Sequence, residues 1–216
     1  MTTGRATIVD VGEPLKSAAQ AAAWLGQAGE EHLAGDIAVL NRVLHSYRLV
    51  TADAYVNPVS RAQLLVARVG YGAGEQVADG LWSEARELTA SRSRQRRAKL
   101  LEPQARLAAV LSGRERTLVC EELALRARLD LDQERDREAA LQVLVALDAA
   151  LAELPVDHAA AVLEPRLAEL REHREAVVGA AQHALAGSLQ DPEREAVAFT
   201  LGRIEAALRA RAVASA

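Results

Sequence analysis

Cysteine, lysine and aromatic side chains are what this chain has least of. Cys120 is the single cysteine among 216 residues, which excludes an intramolecular disulfide and any cysteine-built zinc cluster and suits a reducing compartment. Aromatics make up 3% of the chain, and its apolar half is nearly all Ala, Leu and Val, a composition that suits close helix packing better than the surfaces of sheets. Lysine occurs only at Lys16 and Lys99, so arginine carries the positive charge. Such a bias is better explained by coding composition than by selection for phosphate binding, and arginine abundance alone points to no ligand. The formal net charge of −4 argues against a general nucleic-acid binder, although a local basic patch is compatible with it.

Catalytic and ligand-binding signatures are missing as well. The chain has no Gly-x-Ser-x-Gly and no His-Glu-x-x-His. The glycines around Gly70, Gly72 and Gly74 fit neither a dinucleotide fingerprint nor a P-loop, and Glu75 stands where an anion would be repelled. None of His32, His45, His158, His173 or His183 has Glu three residues before it, so the carboxylate-bridged di-iron pattern fails. Glu169 and His173 lie one turn apart, but Arg171, Glu172 and Arg174 beside them read as a solvated ion-pairing face. Asp130, Asp132, Glu134 and Asp136 alternate like a calcium loop, yet Arg135 replaces the glycine and Leu141 the closing Glu. Cys120 lies beside Glu121 and Glu122 on an apolar helix face, which raises a thiol pKa and marks a packing residue. The expectation is no metal, no cofactor and no catalytic residue. The opening MTTGRATIVDVGEP lacks the charged start and apolar run of a secretory signal, and with the lone cysteine it favours the cytoplasm.

What the chain does have is helical periodicity. From Ala139 to Leu154 apolar residues cover most of a cylinder, so this helix must be buried. At about 16 residues, roughly 24 Å, and carrying Gln142 and Asp148, it falls short of a bilayer of about 30 Å. Other protein must cover it, and no membrane is expected. In chain order, Met1 to Gly12 reads as a loose tail, Pro14 opens a helix to about Gly26, and Glu30 to Val50 carries a stripe of Leu33, Ile37, Leu40, Leu44 and Tyr47. For Leu64 to Val69 both strand and helix fit; the Ser60/Gln63 capping pattern favours a short helix from Arg61. Val77, Leu81, Ala85 and Leu88 are spaced as another helix. Pro103 opens one with Leu107, Val110 and Leu111. Ser112 and Glu115 form a second capping pattern ahead of Leu118 to Leu129. The charged turn Asp130 to Glu138 precedes the apolar helix, Pro155 stops it, Asp157 caps the next, and Pro165 restarts or kinks that one. Asp191-Pro192-Glu193 starts a last helix with Val197, Leu201, Ile204 and Leu208 on one stripe.

These patterns give an all-α protein with a C-terminal antiparallel helical bundle over 91–216 and a less regular N-terminal helical region over 1–90. The soft boundary is Thr89 to Lys99, where Arg92, Arg94, Arg96, Arg97 and Lys99 form a basic run without an acid. Function is expected to lie in protein–protein contact, with a partner or a second copy. The surfaces singled out are Leu33, Ile37, Leu40, Leu44 and Tyr47, and Val197, Leu201, Ile204 and Leu208. The alternative is a nucleic-acid-associated protein contacting phosphate through Arg92 to Lys99, disfavoured because no aromatic is interleaved to stack on bases. A third reading places an enzyme or small-ligand site in a bundle cavity.

Overall fold

A computed structural model of the chain describes residues 4–88, 102–157 and 159–214. The fold is all-α: seven α-helices and one two-stranded sheet among the described residues. The chain divides into two compact units, Met1–Arg94 and Gln95–Ala216.

In the first unit, residues 4–16 form neither helix nor strand. Helix α1 (Ala18–Gln27) starts at Ser17, whose hydroxyl accepts the Gln20 N–H, and helix α2 (Glu30–Thr51) follows at once. Two helices expected next are corrected. The Ser60/Gln63 box does form, with Gln63 Oε1 accepting Ser60 N–H at 2.7 Å, but it launches only a 3₁₀ turn, Arg61–Gln63. The chain then runs into strand β1 (Arg68–Tyr71), and where a helix from Val77 to Leu88 is expected it forms a 3₁₀ turn, Glu75–Val77, and strand β2 (Glu84–Glu87), antiparallel to β1 with Arg68 opposite Glu87. Gly70 explains why strand wins here. A Cβ at this position would lie 2.6 Å from both the Glu84 carbonyl oxygen and the Trp82 ring, so the hairpin closes only around a residue without one.

In the second unit, α3 (Glu102–Leu111) leads to four long helices: α4 (Val119–Asp132), α5 (Asp136–Glu153), α6 (Ala160–Ala186) and α7 (Asp191–Ala214). The second capping pattern fails: Ser112 donates to the Ala109 carbonyl, Glu115 pairs with Arg106, and α4 starts only at Val119. Pro165 lies inside α6, close to its start, and the helix runs through it. Short turns force neighbouring helices to run antiparallel. Cross-links show the same order: Val119 and Cys120 meet Glu153 from α5, Arg137 meets the Ala184 carbonyl of α6, Arg203 meets Glu169, and Arg128 of α4 meets Glu205 of α7.

Helix α5 is the centre of this bundle. Val143, Ala146, Leu147, Ala150 and Leu154 are fully buried, against Leu163, Leu167 and Leu170 of α6 and Val197, Leu201 and Ile204 of α7. With its closing 3₁₀ turn it spans Asp136–Val156, 21 residues, long and apolar enough by length and composition to cross a membrane. This exceeds the span read from the sequence. Its inward face packs on α4, α6 and α7, while Leu141, Leu144 and Leu151 are partly covered and Val145 is 52% exposed.

Candidate functional site

The two stripes singled out from the sequence have different fates. Val197, Leu201 and Ile204 have no exposed surface, and Leu208 packs half-buried on the same core. The α7 stripe is therefore bundle interior, its apolar side chains taken up within the chain. On α2, Leu33, Ile37, Leu40 and Leu44 are half-buried and Tyr47 is 57% exposed. Arg92, Arg94, Arg96, Arg97 and Lys99 lie outside the described residues.

Helix α2 is fixed at both ends. Glu30 and Glu31 in its first turn complement the helix dipole, His32 accepts the Gly29 N–H, and Ala52 ends it in the left-handed conformation, its N–H bonded to the Arg48 and Leu49 carbonyls. Its one fully buried side chain is Asn41, which clamps the returning chain by donating to the Val59 carbonyl at 3.0 Å and accepting Val59 N–H at 2.8 Å. Arg61 adds a bond to Glu30 at 3.1 Å and donates to the Leu88 carbonyl. Between these anchors lies a shallow groove of about 230 Å³ lined by Glu30, Leu33, Ala34, Ile37 and Arg61.

The outward side joins Tyr47, which the sequence reading named, to three valines that it did not. Val39, Val43, Tyr47 and Val50, at steps of four, four and three residues, share one side of the helix, and Val43 and Val50 are 60% and 86% exposed. Leu49 and Tyr55 are exposed as well. The spacing was visible in the sequence, but α2 carries two adjacent apolar arcs, and only the position of the return through Val59 decides which is covered.

At one end of the bundle sits a buried charge cluster. Arg211, 4% exposed, bonds Asp157 at 2.9 Å and Glu121 at 3.0 Å; Arg106 reaches the same Glu121 oxygen at 2.6 Å and Glu115 at 2.8 Å. Beside it, Glu153 accepts the N–H groups of Val119 at 3.0 Å and Cys120 at 2.9 Å, capping α4 from another helix because Leu118 has no side-chain acceptor. Burial raises the Glu153 carboxyl, but the two N–H groups, the Cys120 thiol and Arg211 outweigh it and hold the group below its ordinary value. Burial first, then Glu153, pushes the Cys120 thiol up to about 12, so it is protonated and unreactive at neutral pH. The arginines keep their protons at any working pH, and the cluster reads as an ionic lock joining α3, α4 and α7.

The remaining candidates resolve into ion pairs. Arg135 holds Asp130 at 2.7 Å, Arg128 reaches Asp132 and Arg194 of α7 reaches Asp136, so three acids of the turn are paired with arginine. Glu169 pairs with Arg203, and His173 meets the Phe199 ring edge-on at 4.9 Å. Among the described residues, no three His, Cys, Asp or Glu side chains converge as metal ligands would. The chain matches no protein-family model, no curated protein and no solved structure.

Proposed function

We propose that this chain works by protein–protein contact and that the outward side of α2, from Val39 to Val50, is its docking surface. One observation carries the reading: a 22-residue helix buries a single side chain and turns Val39, Val43, Tyr47, Leu49 and Val50 toward water. Scattered apolar residues on a surface are ordinary, but an aligned row on one helix matches the helix-in-groove mode, in which anchors at three- and four-residue steps seat in a partner. The groove at Glu30 and Arg61 is small beside the roughly 300–1,000 Å³ of small-ligand sites, which favours a surface role over a ligand pocket. Cytoplasmic placement accords with the unreactive, buried Cys120.

Native size fractionation of extracts from the source cells tests the reading. The chain should run well above its own 23.1 kDa, and Val43→Asp should return it to that size without loss of helicity. Wild type and variant both running at chain mass would overturn it. Light scattering on the purified chain then shows whether the heavier species is a second copy.

A further inference from the structure

We propose that α3 is a latched arm, held on the bundle through Arg106, that opens and unfolds as a unit while α4 to α7 stay packed. An isolated helix of fewer than about 12–15 residues is marginal in water, so the 10 residues of α3 must draw stability from what they touch. They touch little that is apolar. Among the described residues, none of its apolar side chains belongs to the bundle core or packs against it, and Leu107 and Leu111 are 57% and 79% exposed. What ties α3 down is a guanidinium. Arg106 Nε donates to Glu115 at 2.8 Å in the connecting turn, and Nη2 donates to Glu121 of α4 at 2.6 Å.

This latch parts without stranding a charge. The Glu121 oxygen that receives Arg106 also receives Arg211 at 3.0 Å, and Arg211 is itself fixed by Asp157 at 2.9 Å and by the Arg116 carbonyl at 3.3 Å. When Arg106 leaves, Glu121 keeps Arg211 and the Leu118 N–H. An orphaned inner carboxylate is what makes breaking a buried ion pair costly, and here none is left. Arg106, 41% exposed, turns to water. Gly113 supplies the pivot: at φ 72° it follows α3 in the left-handed region, and no other part of the chain lies within 4 Å of where a Cβ would stand. Few apolar contacts, an open turn and a half-wet ionic tie are the marks of a segment that opens below the global unfolding free energy. Because the tie is ionic and reaches water, salt loosens it, and ionic strength sets the open fraction.

Native-state hydrogen exchange of the full chain, read by mass spectrometry on peptides covering 104–111 and 143–154, is the test. After correction for intrinsic rates, the α3 amides should exchange more slowly than an unstructured chain yet about a hundredfold or more faster than those of α5. Arg106→Gln, or raising salt from about 0.05 M to about 1 M, should speed α3 exchange about fivefold or more and leave α5 unmoved. Exchange of α3 in step with α5 would show that it opens only with the bundle. Exchange at the unstructured rate would mean that there is no latch, and a rate indifferent to Arg106→Gln or to salt would place the hold elsewhere. Acceleration of α5 together with α3 in Arg106→Gln would make Arg106 a support of the whole bundle. Each of these results overturns the inference.

Discussion

Replacing Glu153 by Gln tests whether one helix of the bundle is capped by another. The carboxylate accepts two backbone N–H groups, one on each oxygen; an amide has a single acceptor oxygen, so the variant must lose one bond together with the negative charge at the α4 N-terminus. Val119 is 61% exposed and its N–H can turn to water, whereas Cys120 is fully buried and its N–H cannot. A bond to a charged acceptor is worth roughly 1.5–3 kcal/mol, and an anion near a helix N-terminus about 0.3–1 kcal/mol. Part of this returns as the amide re-bonds, leaving a loss of about 2 kcal/mol. Both tryptophans and all three tyrosines lie in the first unit. Ellipticity at 222 nm in a urea titration is dominated by the bundle's helices, with α1 and α2 adding the smaller part, and tryptophan emission, which reports on the first unit alone, provides an internal control that should not move. The sign with pH is fixed by the direction of the shift. A carboxyl whose folded pKa is lowered contributes stability that is present above its unfolded pKa of about 4.3 and lost as pH falls through the folded value. The gap between wild type and Glu153→Gln should hold near its full size at pH 7 and narrow below about pH 4. A loss under about 0.5 kcal/mol at pH 7, or one undiminished in acid, would refute the reasoning.

Two further substitutions probe the two units. Leu147→Ala removes a side chain with no exposed surface from the middle of α5 and should destabilise the bundle by about 2–5 kcal/mol; Leu144→Ala, half-buried, should cost less, and the reverse order in urea titrations would mean the inward face of α5 is misassigned. Gly70→Ala drives a methyl to 2.6 Å from the Trp82 ring and the Glu84 carbonyl oxygen. It should open the hairpin, weaken the first unit by about 1–3 kcal/mol and shift tryptophan emission to the red, while an unchanged spectrum and midpoint would show that the strands separate without penalty.

The fold class and the burial of the Ala139 to Leu154 helix followed from the sequence alone, because a cylinder apolar on nearly every side has no stable place in water and its neighbours carry matching stripes. The starts at Glu30 and Asp191 were equally legible, since acidic first turns act within a few residues. Other features were settled only by contacts distant in sequence. The spacing of Val77, Leu81, Ala85 and Leu88 allowed a helix, but Arg68 to Tyr71 gives 84–87 a partner strand, and pairing of that kind overrides local period. Glu153 caps a helix that begins 34 positions earlier, and no local pattern announces such an acceptor. The stripes on α2 and α7 look alike as strings of Leu, Ile and Val; one is core and the other half-covered because the other three long helices close around α7, while only a single returning stretch of chain crosses α2.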